Sequence, residues 1–303
     1  MQATFTLIVT MLALAAPVQA RAGEPEEPVR VARSGVNLEW PSPPQSRRYR
    51  VGDVLLTMRN EVEATDPGLL RRSLTVDMPG VPPFAIDPVE EDAYEPQVMV
   101  VENPSGPPII LFQTYSGGAH CCTTVTAIVS RQERLVPIVV YAGDGGPLEE
   151  SPTDRDGDGI LDFVTYDNAF LYRFSSYAGS VPPPQMFNIV DGEVVNVSDR
   201  PGFRGLFEET RREARELCLD RDNADRNGAC AGYVAAAARV GRFDEAWAEM
   251  LGAHDRNSNW GLEGICRVTL VDGECPAGQE QRFATYPEAL RQFLTDAGYI
   301  RPE

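Results

Sequence analysis

The sequence predicts an α+β protein in which a mainly β N-terminal unit precedes a small α-helical one. Three observations carry this. Between about residues 47 and 200, short runs of β-branched and aromatic residues are bounded by Gly, Pro, Asp or Asn, the signature of strands and tight turns. After Pro201-Gly202 the apolar spacing lengthens to that of a helix face. A chain of 303 residues, 43% of them apolar, is also long enough to bury a substantial core.

Along the chain, residues 1–20 hold an uncharged apolar stretch, Phe5 to Ala16, followed by Pro17 and Val18-Gln19-Ala20. That stretch is too short to span a bilayer, and the small residues before Arg21 fit a signal peptide cleaved after Ala20. No later apolar run is long enough for a membrane span. Residues 21–46, rich in Pro, Glu and Ser, read as an extended linker. Strands are expected at Val51–Met58, Leu74–Met78, Gln97–Val101, Ile109–Tyr115, Thr123–Val129, Leu135–Tyr141, Ile160–Tyr166, Phe170–Phe174, Met186–Val190 and Glu193–Val197, with Asp191-Gly192 as a hairpin turn. These make up a β domain over 47–200.

The helical domain is expected over 203–303. Phe203, Phe207, Ala214 and Leu217 trace one helix face, with Glu208, Arg212 and Glu216 spaced for i,i+4 ion pairs on the wet side. An Ala-rich helix over 229–240 stops at Gly241, and Phe243, Ala246, Trp247, Met250 and Leu251 form the next apolar stripe. His254 falls at the end of that helix, where a cation suits the dipole. A last helix, Tyr286–Ala297, closes at Gly298.

Charge excludes several chemistries. All 27 basic residues are Arg, so no P-loop, Schiff-base or kinase-type lysine exists. The two histidines, His120 and His254, cannot build a three-His or H-E-x-x-H zinc site. A net charge of −18 disfavours nucleic acid and anionic membranes as partners. Six cysteines behind an export signal point to disulfides in an oxidising compartment, periplasmic or secreted. Cys218 with Cys230 and Cys266 with Cys275 are local couples. Cys121 and Cys122 are adjacent, and Cα atoms about 3.8 Å apart fall below the usual disulfide range of about 4.4–6.8 Å, so their state is left open.

The sharpest motif is Asp154, Asp156, Asp158, Gly159, Ile160 and Asp162. Carboxylates at loop positions 1, 3 and 5 converge, Gly at position 6 permits the sharp turn, and the carbonyl at position 7 adds an oxygen. Four Asp so close repel one another unless a cation intervenes, and an all-oxygen set suits calcium better than magnesium. Position 12, a bidentate Glu in an EF-hand, is Thr165, so Asp162 would close the shell. The following Leu161–Tyr166 reads as a strand. Gly106–Tyr115 superposes on Gly157–Tyr166 at an offset of 51 residues with Gly, Ile, Phe, Thr and Tyr shared, as a faint repeat lacking the acids in its first copy.

The acidic loop resembles those of FG-GAP and VCBS repeats, as in the integrin α-chain propeller. The wider passage Ser116–Cys122, the loop and Phe174–Gly179 looks like uncharacterised exported bacterial proteins of that kind. The resemblance covers about residues 98–175. It implies calcium held by Asp154, Asp156, Asp158, Asp162 and the carbonyl of Ile160. Two repeats cannot close a ring, so a partial-propeller or sandwich-like stack is expected.

Function is read as a calcium-stabilised binding or scaffold protein meeting a protein or glycan, with no catalytic residue assigned. The alternative is a secreted hydrolase or thiol-dependent enzyme using His120, Cys121 and Cys122, in which the imidazolium would lower a thiol pKa. No acidic group near His120 completes that constellation in the sequence.

Overall fold

The computed structural model describes residues 27–302 apart from 63–69, 87–93, 146–147, 149, 264, 267, 270 and 272–273. The predicted signal peptide at 1–20 lies outside the described residues. In the first sheet, β1 (Val29–Val31) runs parallel to β2 (Ser46–Val51), and β3 (Val54–Val62), β4 (Leu70–Asp77) and β5 (Phe84–Ile86) follow antiparallel. The expected run Val51–Met58 is split, because Gly52 at φ +56° turns the chain between β2 and β3. Three arginines disguise β2, yet its Tyr49 and Val51 are buried. Nor is the described part of the expected linker, 27–46, simply extended. It supplies β1, pairs Leu38 with Val98, and buries Leu38 and Trp40, whose indole Nε1 donates to Pro96 O.

A second sheet runs in sequence order through β6 (Gln97–Val101), β7 (Ile109–Tyr115), β8 (Thr123–Arg131) and β9 (Arg134–Gly143). Pro137 sits in β9, an edge strand where a missing N–H is tolerated. The third sheet is β10 (Phe163–Tyr166), β11 (Pro184–Val190) and β12 (Glu193–Asn196). Asp191 and Gly192, at φ +52° and +82°, make the tight turn expected between its last two strands.

The three sheets form a sandwich-like stack. Val98, Val100, Ile110 and Phe112 of the middle sheet pack on Leu56, Met58, Leu74 and Val76 of the first. Their neighbours Met99, Val101, Ile109 and Leu111 point the other way, onto Leu161 and Phe163. Burial on both faces is why β6 and β7 read as continuous apolar runs. On the far side, Met186 and Val197 of the third unit meet Phe203, Phe207, Ala236 and Val240 of the helices. The architecture is α+β, a mainly β stack capped at one end by helices.

The helices are α1 (Arg204–Leu219), α2 (Arg226–Arg239), α3 (Phe243–Ala253) and α4 (Tyr286–Asp296), close to where the periodicity placed them, but Leu217 and Leu251 of the expected apolar stripes are exposed and Cys218 takes the inward place in α1. Gly241 and Gly298, at φ +77° and +75°, end α2 and α4 as αL caps. Cys218–Cys230 joins α1 to α2, and Cys266–Cys275 closes the loop near β13 (Ile265–Cys266) and β14 (Glu280–Gln281). Glu208 pairs with Arg211, one position short of the expected Arg212. His254 ends α3, with Nδ1 3.1 Å from Met250 O.

The strand expected at Phe170–Phe174 is corrected to a 3₁₀ turn, Asn168–Phe170, capped by Asp167 Oδ1 accepting from Ala169 N, followed by further turns. Its rings enter the helical core: Phe170 lies 4.8 Å edge-on to Phe293, and Phe174 lies 5.2 Å from Tyr286 and 5.4 Å from Phe293. The chain past Phe174 then lies directly on α2. A Cβ on Gly228 would come within 2.0 Å of Ser175 Oγ, and one on Gly232 within 2.0 Å of Val181 O. Tyr299 returns from beyond α4 to donate to Asp167 Oδ2 at 2.9 Å. The helical core therefore includes residues from well before Pro201.

Within the helices, Arg215 reaches Glu249 through two bonds of 2.8 and 2.7 Å, and Tyr233 Oη donates to the same carboxylate at 2.6 Å. The guanidinium, above all, pulls the Glu249 carboxyl down to about 2, against its own partial burial. Burial and the neighbouring carboxylate push Tyr233 up to about 12.

Gly232→Ala gains helix propensity of about 1 kcal/mol but drives a methyl into a backbone carbonyl, an overpacking cost of about 1–3 kcal/mol. Chemical denaturation should show net loss of stability; a more stable variant would mean that α2 is not held against Val181. Because the Glu249 carboxyl is depressed in the folded state, its contribution is present above the ordinary carboxyl value and is lost as pH falls toward about 2. The acid limb of a pH–stability curve should flatten in Glu249→Gln, and an unchanged limb would count against the clamp.

Candidate metal centre

The acidic loop hangs between Thr153 and Asp162, where an antiparallel bridge closes it and Asp162 N donates to Thr153 O at 3.0 Å. Gly157 and Gly159, at φ +80° and +86°, take the left-handed turns that fold the chain inward. Asp154 accepts from Gly157 N at 2.8 Å and Gly159 N at 3.0 Å, and Asp158 Oδ1 accepts from Ile160 N at 2.8 Å. Backbone amides thus set the carboxylates before any ion is considered.

Asp154, Asp156 and Asp162 each place one carboxylate oxygen within 4.8 Å of the others. Oxygens bound to one calcium at about 2.4 Å can lie no farther apart than about 4.8 Å, so the trio fits one coordination sphere. Asp162 is fully buried at the head of β10. Its Oδ2 accepts from Arg155 N at 2.7 Å and its Oδ1 from Asn188 Nδ2 at 2.7 Å. Among the described residues no arginine is paired with it; the Arg155 guanidinium turns to Glu150. Asn188 Oδ1, on β11, is itself buried without a partner among the described residues. A buried carboxylate beside an orphaned amide oxygen is costly without a cation, and every donor here is oxygen, as calcium prefers.

Asp158 is not in the trio. Arg200, just ahead of α1, bridges Asp156 at 3.1 Å and also bonds Asp158. Gly202 follows so closely that a Cβ there would lie 2.4 Å from Asp156 Cβ. For Ile160, the loop contact is its amide on Asp158. Ser105, from the acid-poor repeat copy, donates to Gly159 O, so the two copies meet at this loop.

Residues 207–298 match the family described as the sll0997 C-terminal domain. The helical unit is similar to that domain. A protein named probable thylakoid lumen protein sll0997, from Synechocystis sp., is 39% identical over 197 residues, covering 64% of this chain and 57% of that protein. The uncharacterized protein y4bJ of Sinorhizobium fredii is 30% identical over 200 residues, covering 65% of this chain and 31% of its own. The chain thus matches less than two thirds of either relative's length. No solved structure matches it.

Of the other sequence candidates, Cys121 and Cys122 are bonded to each other across a cis peptide. His120 stacks on Tyr177 with centroids 4.1 Å apart. In this state neither sulfur is a free thiol. Sequence reasoning missed Arg200, Asn188 and Gly202. They lie 26 or more residues from Asp162 along the chain (188 − 162 = 26), and no local spacing connects them.

Arg200→Ala leaves Asp156 and Asp158 without their guanidinium. With chelator present it should cost about 1–3 kcal/mol, the scale of a charged hydrogen bond. Excess calcium should close most of that gap in a thermal melt. A deficit equally large with and without calcium would show that Arg200 and the ion do not share the loop.

Proposed function

We propose that this chain is an exported calcium-stabilised binding or scaffold protein whose acidic loop fastens the β stack to the helical cap. The observation that carries the reading is the convergence of Asp154, Asp156 and buried Asp162 at the entry to α1, where Arg200 and Gly202 already press on the loop. Asp158 and the Ile160 carbonyl complete the proposed shell, Asp158 by turning from Arg200. An ion there supplies positive charge and fixed geometry; the chain's residues hold the loop in place. The FG-GAP-like reading is supported by the loop leading straight into strand β10.

Export is supported by the apolar leader in the sequence, by three disulfides, and by similarity to a relative named as a probable thylakoid lumen protein. A periplasmic or secreted location follows from that reading. No helix among the described residues is long and apolar enough to cross a membrane.

The test is a thermal melt with calcium, with magnesium and with chelator. An ion binding only the folded state adds roughly 2.7 kcal/mol at a hundredfold excess over Kd. Melting should rise with calcium more than with magnesium, and Asp154→Asn should lose the response. Identical melts with calcium and chelator would overturn the metal assignment.

A further inference from the structure

A cleft of about 450 Å³ opens at the far end of the middle sheet, lined by Tyr94, Glu95, Gln113, Tyr115, His120 and Tyr177 among others. That volume lies within the range of small-ligand sites. We propose that it binds a neutral sugar ring. The assignment gives the binding role above a ligand class and rests on that reading only there.

The walls are aromatic. Tyr94 and Tyr115 stand 5.2 Å apart at 54°, His120 and Tyr177 stack at 4.1 Å, and Tyr172 lies 5.5 Å behind Tyr177. Tyr94, Tyr172 and His120 are exposed, an unusual gathering of rings at one surface spot. The loop carrying His120 is held at both ends. Ser116 N donates to Cys122 O at 3.0 Å, Cys122 N donates to Ser116 Oγ at 2.6 Å, and Gly145 N donates to His120 O at 3.2 Å. The rings are thus set before a ligand arrives, which lowers the cost of binding.

Gln113 decides the chemistry. It is 2% exposed, and its Oε1 accepts from Leu148 N at 2.7 Å. A backbone N–H can only donate, so the amide orientation is fixed and Nε2 is the free end. That Nε2 is a buried donor with no partner among the described residues, on a side chain lining the cleft. It calls for an acceptor oxygen. Glu95 offers an acceptor in return, so the ligand needs a donor too. A sugar hydroxyl is both, and the C–H face of a pyranose suits a tyrosine ring. A quaternary ammonium would suit the rings and Glu95 but has no acceptor for Gln113. Among the described residues no arginine lines the cleft, and a chain of net charge −18 repels anions.

Calorimetric titration of the full chain with maltotetraose, cellotetraose and tetra-N-acetylchitotetraose, with tetramethylammonium and galacturonate oligomers as controls, tests this. At least one neutral tetrasaccharide should bind. Tyr94→Ala and Tyr177→Ala should each weaken it about tenfold without changing the calcium response of the melt. Gln113→Leu should weaken it as well; should that buried variant unfold, the exposed Tyr94→Ala decides. Absence of binding by all three sugars at millimolar concentration, binding indifferent to Tyr94→Ala and Tyr177→Ala, or tighter binding of tetramethylammonium or galacturonate would each overturn the proposal. Sugar binding by a protein whose melt ignores calcium would overturn only the metal reading. No sugar binding by a calcium-responsive protein would overturn only this one.

Discussion

The structure depends on how closely α2 can lie against the backbone that leaves the β stack. Gly228 and Gly232, four residues apart, share one face of α2 and offer no Cβ where Ser175 and Val181 press in. That approach lets Phe170 and Phe174 reach Tyr286 and Phe293 instead of stopping at the surface. Widen it by one methyl and the rings must withdraw, because a packed interior has little slack. The usual penalty of glycine inside a helix is here offset by burial of aromatic surface.

Charge is managed with the same economy at the acidic loop. Arg200 offsets one of the two negative charges of Asp156 and Asp158, while Asp162 is held inside by amide donors. Amide donors orient a carboxylate without cancelling its charge. The loop is therefore shaped by the backbone and balanced from outside by the entry to α1, so the charge of the β stack bears on how the helical cap is seated.

Much of this was legible in the sequence, for identifiable reasons. Helices α1 to α4 announced themselves through apolar spacing or alanine content, α2 and α4 also through terminal glycines, and β6 and β7 through uninterrupted apolar runs. The acidic loop was visible because its residues are local. What escaped was non-local. β2 carries three arginines on a strand whose burial shows only once β3 is beside it. Phe170 to Phe174 looked like a strand because aromatic residues favour sheets, and only the glycine face of α2, sixty residues on, makes a compact turn the better arrangement. Leu38 and Trp40 sat in a Pro-rich stretch whose composition masked their burial. Asn188 and Arg200 reach the acidic loop through sheet pairing and chain return, for which a linear motif has no signal.

The hydrogen bond from Tyr299 to Asp167 changes what counts as the helical unit. The family match spans 207–298, yet the hydrophobic interior of those helices also contains Phe170, Phe174 and Tyr299, all outside that span. A fragment cut at the family boundaries would be a shell missing three of its own rings. The helical region behaves less like a bead on a string than like a clasp, covalently joined at Pro201 and latched again just past α4, so that opening it uncovers the sheet stack and the helical interior together.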